Sequence, residues 1–98
     1  MILVTGSVTA RPDTFDEVLR LSLEHVARSR TEPGCISHDV HTDCQNPLRL
    51  FFFEQWDSEA VLRDHFAVPA SRDFVRALKK LEVETTGTLI YRAERIPR

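Results

Sequence analysis

Glu54, Trp56 and His65 place a carboxylate, an indole and an imidazole within a dozen residues. A histidine beside a carboxylate is a general base suited to neutral pH. Strand alternation puts Phe52, Glu54 and Trp56 on one face. If that face meets helices, His65 on an inner helical stripe can approach them. Each residue also has an ordinary structural role: Glu54 paired with a lysine or arginine, Trp56 filling core, His65 a satisfied interior histidine. Spacing alone leaves both readings open.

Other chemistries find little support. His38 and His41 look like a metal pair, but three residues apart on a strand they fall on opposite faces. Zinc needs three or four convergent ligands, so no metal site is expected. Cys35 and Cys44, nine residues apart on a strand, have ends separated by roughly 25–30 Å at ~3.3 Å per residue. A disulfide needs Cα atoms within about 7 Å, so both are expected as free thiols. The three glycines, Gly6, Gly34 and Gly87, are scattered, without a phosphate loop. There is no Gly-x-Ser-x-Gly elbow, and no cofactor is expected.

The elements that must carry these residues can be read in order. Ile2 to Ala10 alternates as a strand. Thr14 starts a helix, with Glu17 completing a Thr-x-x-Glu capping box, and Phe15, Val18, Leu19, Ser22, Leu23 and Val26 form its inner stripe. Glu32-Pro33-Gly34 ends it. Cys35 to Asp43 is a strand, with Ile36, His38, Val40 and Thr42 on one face and Cys35, Ser37, Asp39 and His41 on the other. A turn at Gln45-Asn46-Pro47 makes an antiparallel hairpin with Leu48 to Trp56. Asp57 or Ser58 caps a second helix whose inner stripe holds Val61, Leu62, His65 and Phe66. Pro69 interrupts it before a further stripe of Phe74, Val75, Leu78 and Leu81. Val83 to Ala93 is the last strand, with Val83, Leu89 and Tyr91 on one face and a bulge at Gly87. The order β-α-β-β-α-β is the split βαβ, ferredoxin-like α+β arrangement with an antiparallel sheet.

Ninety-eight residues form one domain, 1–98. Hydrophobic residues make up 42% and charged residues 29%, with a net charge of −2. No basic stripe is available for nucleic acid, no apolar run reaches the ~20 residues of a membrane span, and no signal peptide is evident. A cytoplasmic location is expected. Phe51 and Phe53 oppose Phe52, so both faces of the third strand are apolar. Two helices cover only one face of such a sheet, which implies a homodimer that covers the other.

Glu32-Pro33-Gly34-Cys35, Asn46-Pro47, Phe53-Glu54-Gln55-Trp56 and His65-Phe66-x-x-Pro69 together resemble the antibiotic biosynthesis monooxygenase superfamily. The likeness extends in matching order over nearly the whole chain. It implies a dimeric α+β barrel and a cofactor-independent monooxygenase that oxidises a phenol or quinol with dioxygen. On that resemblance His65 is the base, and Trp56, Glu54 and Phe52 contact substrate, with Trp56 as an aromatic wall. His38 stands where a tyrosine is common, either as a different polar group that contacts substrate or as a substitution of no consequence. Ala70 stands where many members carry a second histidine. Ser7 and the Asp73-Phe74-Val75 segment depart from the haem-degrading branch, which disfavours that activity. The alternative function is a non-catalytic dimeric barrel that binds a small hydrophobic ligand.

Overall fold

The computed structural model describes residues 1–98. Strands β1 (Ile2–Thr9), β2 (Cys35–Asp43), β3 (Asn46–Trp56), β4 (Glu84–Thr85) and β5 (Leu89–Arg92) accompany helices α1 (Phe15–Ser29), α2 (Glu59–Ala67) and α3 (Pro69–Lys80). The sheet order is β2-β3-β1-β4, with β5 also on β1, and every pairing is antiparallel. This is the expected ferredoxin-like α+β fold. No helix is long and apolar enough to cross a membrane.

The helices cover the face that carries Ile2, Val4, Val8, Leu50, Phe52, Glu54 and Trp56, all buried. Two apolar clusters form there. Phe52 belongs to one, with Val8, Val18, Val26, Leu50 and Leu78; Trp56 belongs to the other, with Ile2, Val4 and Leu62. Glu54 lies between them on β3. Leu3, Thr5, Phe51, Phe53 and Gln55 point to the opposite face and are half-buried.

Local chemistry differs from expectation at three points, and one open choice is settled. The capping box is absent: Thr14 makes no cap bond, and Glu17 instead accepts two hydrogen bonds from Arg20, at 2.6 and 3.0 Å. A guanidinium fork one turn away outcompetes a weak hydroxyl cap. Ser58 is the cap of α2, its Oγ accepting from the Val61 N–H at 3.3 Å. The hairpin turn is Cys44-Gln45, since Asp43 already pairs with Asn46. A bulge between Cys35 and Ser37 brings Cys35 opposite Trp56, where it packs against the Trp56 cluster, and leaves Ile36 exposed. Cys35 therefore lies on the helix face with His38, not opposite it.

The last strand is two short strands. Val8 pairs with Thr85 and Thr5 with Leu89, so three residues (86–88) oppose two (6–7). One extra residue inverts the side-chain parity. Val83 packs against the core, whereas Leu89 and Tyr91 sit opposite Thr5 and Leu3 on the other face. Gly87, with φ +76°, supplies the left-handed step.

Gly34 performs a comparable service for the site. Its φ is +81°, and a Cβ there would lie 2.7 Å from both γ-carbons of Val61 on α2. Gly34→Ala should lower stability by roughly 1–3 kcal/mol, read from the urea midpoint. Adding Val61→Ala should recover little of that loss, because the Val61 Cβ itself would lie 2.8 Å from the new Cβ.

Candidate functional site

The site is built where α1, α2 and α3 meet the β2–β3 hairpin. On α1 the buried positions Val18, Ser22, His25 and Ser29 follow helical spacing. Ser22 and Ser29 donate their hydroxyls to the carbonyls of Val18 and His25, each at 2.7 Å. Hydroxyls satisfied within the helix let this face press against other elements without orphaned polar groups. His25 is carried inward between them. Its Nδ1 accepts from Arg28 Nη2 at 2.7 Å, and Phe74 of α3 stacks on its ring at 4.2 Å and 11°.

His38 of β2 is fully buried and sits opposite Glu54 in the register. Its Nε2 lies 3.2 Å from Glu54 Oε1, but without the alignment of a hydrogen bond, and neither ring nitrogen has a hydrogen-bonding partner. The same carboxylate oxygen accepts the Trp56 indole N–H at 3.0 Å. On α2, His65 is buried and packs on Trp56, ring centroids 4.6 Å apart. His65 Nδ1 lies 2.7 Å from Glu32 Oε1, in the turn after α1. A carboxylate accepts, so Nδ1 donates to Glu32, and in the neutral ring Nε2 keeps the lone pair.

The three imidazoles form a near-equilateral triangle, with centroid separations of 5.2, 5.4 and 5.5 Å. One ring nitrogen from each lies within 4.8 Å of the others. Beside them opens a cavity of about 600 Å³. Val4, Phe52, Phe66, Phe74 and Leu78 wall it, His25, Glu54 and His65 supply polar atoms, and Arg72, Arg76 and Lys79 stand exposed on its rim. Such a volume suits a small organic molecule.

Of the sequence-derived site residues, Phe52, Glu54 and His65 reach this cavity, while Trp56 and His38 lie behind them, fully buried. Trp56 packs on His65 and donates to Glu54 from that position. His41 is exposed, on the opposite face from His38. Sequence reasoning did not single out His25, Arg28 or Glu32. His25 was legible from spacing, because Val18, Ser22, His25 and Ser29 recur at helical intervals. Glu32 carried no such signal, since its partner is 33 residues away. Burial, with Glu32 and Glu54 nearby, pushes the Cys35 thiol up, away from thiolate chemistry.

A single antiparallel sheet with helices on one face, and a cleft between the layers, defines a small ferredoxin-like domain. The antibiotic biosynthesis monooxygenase model matches residues 1–77, and the chain belongs to that family. The uncharacterized protein sll1783 of Synechocystis is 34% identical over 91 residues, which is 93% of this chain and 62% of that protein. The chain thus spans less than two thirds of that curated relative. A Deinococcus radiodurans protein bearing the family's name superposes with a TM-score of 0.95 at 24% identity, over 100% of this chain and 97% of its own. A second solved antibiotic biosynthesis monooxygenase gives 0.86 at 27% identity, over 97% and 100%.

His25 makes the cluster's electrostatics measurable. Burial first, then the neighbouring His38, His65 and Arg28, push its pKa from 6.5 down to about 3. Between those values the unfolded chain binds a proton that the folded chain refuses, so stability falls as pH drops below about 6.5. The slope for this one group approaches about 1.4 kcal/mol per pH unit. Urea unfolding between about pH 6.5 and 5, above most of the carboxylate range, should show it. His25→Leu should remove that contribution, and an unchanged slope would contradict a neutral buried His25.

Proposed function

We propose that the chain is a cofactor-independent monooxygenase that oxidises a phenol- or quinol-type aromatic with dioxygen. The observation that carries this reading is His65. It is a buried imidazole at the cavity, held on Glu32 through Nδ1, with its Nε2 lone pair left for a guest's proton. Family membership supports the reaction class.

The cavity accommodates the chemistry in a definite order. Phe52, Phe66 and Phe74 offer flat apolar surface to an aromatic ring. A phenol whose hydroxyl meets His65 Nε2 passes its proton there, and Glu32 stabilises the imidazolium through the Nδ1–H bond. Trp56 and Glu54 fix the ring and floor behind it. The phenolate then transfers one electron to dioxygen, and the two radicals combine at an ortho or para ring carbon that still carries hydrogen, as a hydroperoxide protonated by the His65 imidazolium. That carbon loses its hydrogen as a proton, and the O–O bond breaks. One oxygen stays as the quinone carbonyl and the other leaves as water. The substrate itself is the reductant, and the protein contributes a dry pocket and a base.

A homodimer belongs to the same reading. Leu3, Phe51 and Phe53 are half-buried, and Leu89 and Tyr91 are each 49% exposed. These residues share the sheet face that the chain's own helices leave open, and a second sheet packed there would bury them. Light scattering should report twice the chain mass, and a stable monomer would contradict this assignment.

Oxygen-electrode assays with an anthrone and a substituted hydroquinone should show uptake. His65→Ala should lower the rate about 100- to 10,000-fold, the range of a general base, with the circular dichroism spectrum retained. Binding of such molecules without oxygen uptake would favour the non-catalytic ligand-binding barrel instead.

A further inference from the structure

We propose that His25, His38 and His65 form a binding site for one divalent first-row transition-metal ion. The residues come from three separate elements, α1, β2 and α2, and are 7%, 0% and 3% exposed. One ring nitrogen of each lies within 4.8 Å of the others. Three imidazoles on a tetrahedral ion at ~2.0–2.1 Å sit about 3.4 Å apart, so small side-chain rotations close the triangle. Imidazole sets of this kind suit zinc, copper, nickel or iron, and three protein ligands leave a fourth position open.

Three observations point to a cation. First, His38 is wholly buried, and neither ring nitrogen has a hydrogen-bonding partner. A buried imidazole whose nearest polar atom, Glu54 Oε1 at 3.2 Å, is misaligned for a hydrogen bond is costly unless something else binds it. Second, His65 has the outer-shell bond that metal-ligating histidines make. Glu32 takes its Nδ1–H at 2.7 Å and leaves Nε2 for a metal. Third, the charges are unbalanced. Glu32 and Glu54 bring two carboxylates to the cluster, and Arg28 brings one guanidinium.

Arg28 opposes the ion and gives the proposal a distinctive signature. It donates to His25 Nδ1, which places the His25 proton on Nε2. Loading moves that proton to Nδ1 and swings Arg28 away, with Ser71 Oγ already at 3.4 Å. The ion also occupies the His65 lone pair that the proposed oxidation uses, so metal and general-base catalysis exclude each other. Metal binding is read spectroscopically, whether or not the chain oxidises anything, so the two proposals fail separately.

The experiment uses untagged full-length protein stripped with a chelator and titrated with cobalt(II). One equivalent should bind, with visible d–d absorption and no thiolate-to-cobalt charge-transfer band. Glu32→Gln should weaken binding about 10- to 100-fold, and His25→Ala and His65→Ala by at least the lower figure. Arg28→Gln should tighten it, and His41→Ala should leave it unchanged. His38→Gln is informative only with a retained fold, so Glu32→Gln and Arg28→Gln carry the test. Zinc should raise the thermal midpoint of wild type but not of His25→Ala. No cobalt band, or an affinity indifferent to Glu32→Gln, His25→Ala and Arg28→Gln, would overturn the site.

Discussion

A polar group taken under a protein core must find a partner, and that constraint governs the space between the helices and the sheet. His25, His38, Glu54 and His65 are all buried there. His25 is served from its own helix by Arg28, and Glu54 from its own strand face by Trp56. Both pairings therefore form as their elements form. His65 depends on Glu32, 33 residues away, so its orientation requires the turn after α1 to dock against α2. Gly34 makes that docking possible, because its missing Cβ leaves room for Val61. His38 alone among the three buried imidazoles has no hydrogen bond.

The irregular points of the backbone aim these groups. The bulge between Cys35 and Ser37 turns Cys35 toward the Trp56 cluster while His38 keeps its place opposite Glu54. Pro69 stands at the start of α3, where its missing N–H costs nothing. The new helix direction lands Phe74 flat on His25. The extra residue at 86–88 sends Leu89 and Tyr91 to the far face, and Thr86 Oγ1 accepts the Ser7 N–H at 3.0 Å. A uniform fourth strand would have placed Leu89 and Tyr91 on the same face as Val83.

The element order, the helix-facing set Phe52, Glu54 and Trp56, and the divergence of His38 from His41 were legible because alternation and helical period are local signals. The capping box at Thr14 misled because the same Glu17 had a stronger suitor in Arg20 one turn on. Strand parity at Cys35 and Val83 misled because one inserted residue inverts a face, and only Gly87 advertised it. The metal expectation was drawn from histidines close in sequence. The convergent set draws one residue from each of three elements, and such convergence is a property of the fold. His25 lay within reach of the periodicity argument, since it shares the buried stripe with Ser22 and Ser29.

The walls and floor of the cavity respond to one electrostatic deficit. Two carboxylates face one guanidinium across three imidazoles. In the proposed oxidation, a phenol's proton on His65 makes an imidazolium beside Glu32 that offsets the second carboxylate. A metal ion held by the same nitrogens offsets the same charge without touching the guest's proton. Both occupants need the lone pair on His65 Nε2, and both are favoured by low dielectric, which strengthens each contact with the buried carboxylates. Proton and metal are rivals for one position. Arg28 biases the contest toward the proton, because its hold on His25 Nδ1 must be given up for the ion to bind and not for a proton to reach His65 Nε2.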